Sequence, residues 1–207
     1  GFESREEIIK VFYETEEAKV RDSNSSREGL VGRVLAKAVY IKDSDSGEEK
    51  KLFPAGARLH PHDIDDLIAN GIKDIQVIKF DSRKNPDNKD EKNTSLDSEI
   101  IINCFDREEI RYSKEGSESD EPTKEDALST VYSVLLPGEP ITVENAEKDL
   151  NSMFFTSRRY DLGRVGRYKL NKKFDYNPPK EDATLTKEDI TNTMKHLIKV
   201  YTGEETR

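Results

Sequence analysis

Arg159-Tyr-Asp-Leu-Gly-Arg-Val-Gly-Arg-Tyr-Lys-Leu-Asn-Lys-Lys173 is a basic stretch punctuated by aromatic residues, in a chain of 207 residues whose formal net charge is -9. From Arg158 to Lys173, seven cations (Arg158, Arg159, Arg164, Arg167, Lys169, Lys172 and Lys173) stand against one anion, Asp161, so the stretch alone is about +6. Charge gathered against the prevailing sign points to a polyanion held at this surface, because attraction to phosphates supplies most sequence-independent nucleic-acid binding. A solvated helix face would carry the same charges, and composition leaves both readings open.

The neighbourhood of the stretch extends its pattern. Pro137-Gly138-Glu139-Pro140 and Phe154-Phe155 precede it, and Leu185-Thr-Lys-Glu-Asp-Ile190 follows, leading into an apolar-periodic segment that ends near Gly203. In this order and spacing, Arg159-Tyr-Asp-Leu162, Val165-Gly-Arg167 and Lys169-Leu-Asn-Lys-Lys173 resemble the lobe of the bacterial DNA-directed RNA polymerase β subunit. The resemblance covers roughly residues 122–207 and, more faintly, the opening helix. Residues 21–121 resemble instead a lineage-specific insertion carried inside that lobe.

Bulk composition is compatible with this division. Only 33% of the chain is hydrophobic while 37% is charged, so two modest cores are expected rather than one large one. The single cysteine, Cys104, excludes an internal disulfide framework and fits a reducing cytoplasm. No run approaches the roughly 20 apolar residues that a membrane span needs, and residues 1–20 lack the basic-then-apolar order of a signal peptide. A cytoplasmic protein without a membrane partner is expected. Both ends read as cuts in something longer.

Local signals place the elements. Ser4 with Glu7 is a capping pattern for a helix over about residues 5–16, and residues 21–28 are polar enough to read as a linker. Residues 30–41 suggest one or two strands, residues 43–48 a hairpin tip, and residues 52–56 a return strand. A short helix from His62 or Asp63 stops at Asn70-Gly71, and residues 75–80 follow as a strand. Residues 81–98 hold one aliphatic side chain and read as a mobile loop. Ile100-Ile-Ile-Asn-Cys-Phe105 reads as a buried strand carrying a buried thiol, and residues 110–112 as a weaker one.

In the second half, Thr123, Thr142 and Thr186 each begin a capped helix. Ile190, Met194, Leu197, Ile198 and Tyr201 make the apolar stripe of the last helix and are expected to face inward. The expected class is α+β. A mainly helical lobe portion, residues 1–20 and 122–207, is interrupted by a small module of strands with one short helix, residues 21–121.

Candidate chemistry is sparse. Gly29-Leu-Val-Gly-Arg33 lacks the Lys-Ser/Thr ending of a phosphate-binding loop. His60-Pro-His62-Asp63 puts two imidazoles near a carboxylate, yet Asp63 is more simply a helix cap, and no further His or Cys stands nearby. His196 sits among the apolar positions of the last helix and reads as a packing or solvent-facing residue. No catalytic residue, metal site or cofactor is expected in this chain.

The resemblance supplies the remaining expectations. It implies no catalysis by this stretch itself, with Mg²⁺ bound only in the complete polymerase, a nucleotidyltransferase whose metal-binding aspartates lie in its other large subunit. It implies a lobe surface near downstream DNA and the displaced non-template strand, with Arg159, Arg164, Arg167, Lys169, Lys172 and Lys173 as candidate DNA contacts. Tyr160, Leu162 and Val165 are expected in the core, and Asp161 is a candidate partner for one of the arginines. The family pattern has an arginine before the Pro-Gly-Glu-Pro segment where this chain has Leu136, which removes one cationic contact. Implied partners are the other polymerase subunits, sigma factor and DNA. A protein regulator is a further candidate partner at the acidic insertion, which DNA would repel. The competing reading is a stand-alone acidic interaction adaptor with a solvated basic helix face.

Overall fold

The computed structural model describes residues 2–42, 49–79, 99–115, 123–138, 140, 142–176 and 183–202. Two compact units emerge, Phe2–Phe105 and Asp106–Arg207. The architecture is α+β, with helices accompanied by two small two-stranded sheets among the described residues. The loop expected at residues 81–98 and the hairpin tip at 43–48 lie outside the described residues.

The first unit starts well before residue 21. Helix α1, Arg5–Phe12, is capped by Ser4, whose Oγ accepts the Glu7 N–H at 3.3 Å, while Glu7 Oε2 accepts the Glu3 N–H at 3.0 Å. The expected continuation to residue 16 does not form. Tyr13 is extended, and Thr15–Lys19 becomes strand β1, antiparallel to β4, Asp74–Ile78, with Thr15 opposite Ile78 and Lys19 opposite Asp74. Ladder hydrogen bonds to a distant strand outweigh the weak local helix signal there, and Ala18 turns onto the core.

Residues 21–28 are likewise more than a linker. Ser23 caps a short helix α2, Asn24–Leu30, accepting the Ser26 N–H at 3.4 Å, and Leu30 is buried at its end. Arg27 ties the helix to Asp22 at 3.0 Å and to Asp65 on α3, Pro61–Ala69. Between α2 and α3, strands β2, Val39–Lys42, and β3, Glu49–Phe53, form the expected antiparallel hairpin. Helix α3 opens with Pro61 in its first turn and with the His60 N–H donated to Asp63 Oδ2 at 2.7 Å. Leu35, Leu59, Ile64, Leu67 and Val77 meet at the centre, where each buried aliphatic side chain contributes about 1.5–3 kcal/mol.

The largest departure is helix α4, Ile100–Glu115, which stands where strands were expected at residues 100–105 and 110–112. Ile101, Ile102 and Phe105 are buried at i, i+1 and i+4, a helical stripe, and Cys104 between them is exposed rather than buried. The Tyr13 hydroxyl accepts hydrogen bonds from the N–H groups of Ile101 and Ile102, two of the donors a helix start leaves unsatisfied. Phe105 lies so close to Gly56, at φ +90°, that a Cβ there would sit 2.9 Å from its ring. The Arg5 guanidinium carbon lies 5.2 Å from the Phe105 ring centroid, a cation–π contact.

Burial pushes the Tyr13 phenol up from 10.0 to about 12, against the pull of the two N–H groups, which favour the phenolate. A raised folded-state value means the contribution is fully present below about pH 10 and is lost as the pH rises towards 12. The difference in melting temperature between the native chain and Tyr13→Phe should therefore shrink across that window. A difference that stays constant from about pH 10 to 12 would contradict the burial of this group.

The second unit is helical among its described residues. Helix α5, Lys124–Leu135, has a reciprocal cap: the Asp126 N–H donates to Thr123 Oγ1 at 3.2 Å, and the Thr123 N–H to Asp126 Oδ2 at 2.8 Å. It packs on α6, Val143–Phe154, with Tyr132 and Ala146 buried and Lys124 paired to Glu147 at 3.0 Å. Two more helices complete the unit, α7, Gly163–Phe174, and α8, Lys187–Thr202. The stripe expected to face inward on α8 does not: Ile190, Met194, Leu197 and Tyr201 are exposed, and Ile198 is half-buried. No helix among the described residues is long and apolar enough to cross a membrane.

Candidate nucleic-acid interface

The basic stretch divides between a turn and a helix. After α6 the chain folds back on itself, with the N–H groups of Arg159 and Tyr160 both donating to the Thr156 carbonyl at 3.3 Å. Asp161 then accepts the Gly163 N–H through Oδ1 at 2.6 Å, so this carboxylate organises the start of α7 and pairs with no arginine among the described residues. The Leu162 N–H donates to the Ala183 carbonyl at 2.7 Å, which pins the turn to the segment leading into α8.

Helical spacing then sorts the side chains of α7. At 3.6 residues per turn, positions 164, 165, 168, 169, 172 and 173 fall on one half of the cylinder, and 167, 170, 171 and 174 on the other. The burial follows this division. Arg164, Val165, Tyr168, Lys169, Lys172 and Lys173 are exposed, whereas Leu170, Asn171 and Phe174 are half-buried and Arg167 is buried.

Arg167 is therefore a correction to the expected set of DNA contacts. Its Nη1 lies 2.8 Å from both Oδ1 and Oδ2 of Asp189, its Nη2 donates to the Thr184 carbonyl, and the two side chains are 3% and 1% exposed. Asp189 is also the cap of α8, accepting the Thr186 N–H at 2.8 Å and the Thr186 hydroxyl at 2.9 Å. A guanidinium held this way locks two helices together and presents nothing to a phosphate. The signal was present in sequence, since Arg167 shares its helix face with Leu170 and Phe174 at i+3 and i+7.

The other five candidates remain available. Arg159, Arg164, Lys169, Lys172 and Lys173 are exposed, and none has an ion-pair partner among the described residues. Two expected core residues are also on the outside, Val165 at 69% exposure and Tyr160 at 39%, while Leu162 is half-buried. Tyr168, which sequence reasoning passed over, is 65% exposed between Arg164 and Lys172 on the same ridge. The result is a surface of cations with an aromatic ring among them, a combination that suits a phosphodiester strand. Lys172 and Lys173 also complement the negative end of the α7 dipole.

Elsewhere the candidate chemistry stays structural. The His60 and His62 rings stack at 5.7 Å, and His62 Nε2 lies 3.2 Å from Asp63 Oδ1, while Asp63 itself caps α3. No group of three or more His, Cys, Asp or Glu that could hold a metal ion occurs among the described residues. His196 meets Phe174 edge-on at 6.0 Å.

The comparisons with known proteins identify the family. Residues 97–206 match the family RNA polymerase Rpb2, domain 2, which contains the whole of α5 to α8. The DNA-directed RNA polymerase subunit beta of Treponema denticola is 55% identical over 205 residues, 99% of this chain and 17% of the relative. The proteins of the same name from Treponema pallidum and Borreliella burgdorferi are 47% and 39% identical, over 98% and 99% of this chain and 16% of each relative. The chain thus spans about a sixth of the length of these curated relatives. On this match, the chain belongs to the RNA polymerase Rpb2 domain 2 family.

Proposed function

We propose that the exposed face of α7, together with Arg159 in the turn before it, positions DNA during DNA-templated transcription as part of the lobe of a polymerase β subunit. The observation that carries this reading is the segregation of charge within one helix: the arginine that is neutralised points inward, and the cations without recorded partners all point outward. Contacts of this kind fix the path of a strand without reading its bases. The relevant strands on this reading are downstream duplex and displaced non-template DNA.

The same reading assigns no bond-making step to these residues. Joining ribonucleoside triphosphates, and the Mg²⁺ that this uses, belong to the complete polymerase, whose other subunits and sigma factor are the expected partners in the cytoplasm. The acidic unit in the first half of the chain is the proposed docking place for a basic protein regulator. Family membership favours this setting over a stand-alone adaptor.

The test is a salt titration of DNA binding by the 207-residue chain, followed by fluorescence anisotropy with duplex and single-stranded oligonucleotides. Binding should be weak, and its logarithm should fall linearly with the logarithm of salt concentration. Affinity that does not respond to salt would contradict phosphate contact.

A further inference from the structure

The exposed half of α7 is not uniformly cationic. Arg164, Tyr168 and Lys172 follow one another at i, i+4 and i+8 in one row, and Val165, Lys169 and Lys173 form the row beside it, all six exposed. Val165 and Tyr168, one turn apart on adjoining rows, are the large apolar side chains of this helix that face water, at 69% and 65% exposure. The Tyr168 side chain makes no hydrogen bond, ion pair or ring contact with any described residue, so its ring is free to receive a planar partner.

We propose that Tyr168 is a stacking platform for one unpaired nucleic-acid base, so that the α7 ridge takes a single strand in preference to a duplex. The inference rests on the reading of this ridge as a DNA contact and adds to it the state of the DNA. Cations attract the phosphates of any strand and cannot by themselves tell one strand from two. An apolar strip set between cations is unfavourable in water and is relieved by a partner that carries an apolar face as well as negative charge. A single strand offers both, because every base has a π-face while its phosphates stay charged. In a duplex those faces are taken up by neighbouring base pairs, and the surface shows phosphates and groove edges.

The order along the row supports the same partner. Arg164 and Lys172 lie about 12 Å apart along the helix axis with the Tyr168 ring between them. Cation, ring and cation thus face phosphate, base and phosphate of one strand. Tyr168 positions the strand and makes or breaks no bond.

Three ligands test the assignment by nuclear magnetic resonance titration of the full chain at low salt: a short oligo-dT, an abasic strand with the same number of phosphates, and the matching duplex. Equal phosphate number cancels the electrostatic contribution, so a difference between the first two comes from the bases. Oligo-dT should bind at least about fivefold more tightly than the abasic strand, the lower end of what one base–aromatic stack supplies. The Tyr168 ring protons should move upfield with oligo-dT and not with the abasic strand. Tyr168→Phe should keep the ratio, and Tyr168→Ala should bring it close to one, while the helical circular dichroism signal, the duplex affinity and the salt slope for the abasic strand persist. Equal affinity of the native chain for the two strands, an undiminished ratio in folded Tyr168→Ala, or a matching loss of duplex affinity would overturn the stacking assignment and leave phosphate contact standing. Absence of salt-dependent binding by all three ligands would instead overturn the DNA reading, and this inference with it.

Discussion

Arg167→Ala should lower the stability of the unit Asp106–Arg207 by about 3–5 kcal/mol, the cost of leaving one partner of a buried ion pair without the other. The loss is large because the guanidinium serves three acceptors at once, both oxygens of Asp189 and the Thr184 carbonyl. Asp189 in turn holds the Thr186 cap, so the start of α8 should fray as well. Arg167→Lys should recover little, since a single ammonium cannot reproduce the planar fork. By contrast, Arg167→Met combined with Asp189→Leu removes both charges and should be markedly more stable than either single variant. Urea denaturation followed by helical signal measures each of these variants. A midpoint for Arg167→Ala indistinguishable from the native chain would return Arg167 to the surface and to the list of DNA contacts.

Neutralising the exposed ridge should have the opposite profile. The combination Arg164→Gln, Lys169→Gln and Lys172→Gln removes solvent-facing charge, so stability should change by no more than about 0.5 kcal/mol per position. DNA binding should fall steeply. Each phosphate contact contributes about 0.9 to the slope of log affinity against log salt for duplex and about 0.7 for single strands. Loss of all three contacts should flatten the slope by about 2.7 and 2.1 respectively. A triple variant that keeps the native slope would show that these cations are solvated and touch no strand.

The two variants also separate what the sequence made legible from what it hid. Capping chemistry was legible because it is local: Ser4, Thr123, Thr142 and Thr186 each precede the helix their hydroxyls announce. The β2–β3 hairpin and the arrest of α3 at Asn70 were legible for the same reason. Strand β1 was hidden because its partner lies some sixty residues away in β4, and local propensity cannot report a distant ladder. Ile100, Ile101 and Ile102 read as a strand because a short apolar run looks alike in helix and strand. Its resolution came from Tyr13, which caps α4 from outside the segment.

The candidate site shows the same division. Counting charge from Arg158 to Lys173 located the surface but treated every cation alike, although the 3.6-residue period assigns Arg167 to the apolar side. Its partner Asp189 was visible only as a cap. The apolar stripe of α8 was identified correctly as a stripe, but periodicity identifies a face and not what covers it. A cavity lined by Lys173 and Lys195 was beyond sequence reasoning, because the two residues stand on different helices that only the fold brings to one concavity.

The central claim is that the outward cations steer phosphodiester strands within a larger enzyme. Its most direct test is the lifetime of open promoter complexes formed by the assembled polymerase carrying Arg159→Ala. The account predicts a shorter lifetime, with the deficit changing as salt is raised because a phosphate contact is missing. A lifetime equal to that of the native enzyme at every salt concentration would contradict it.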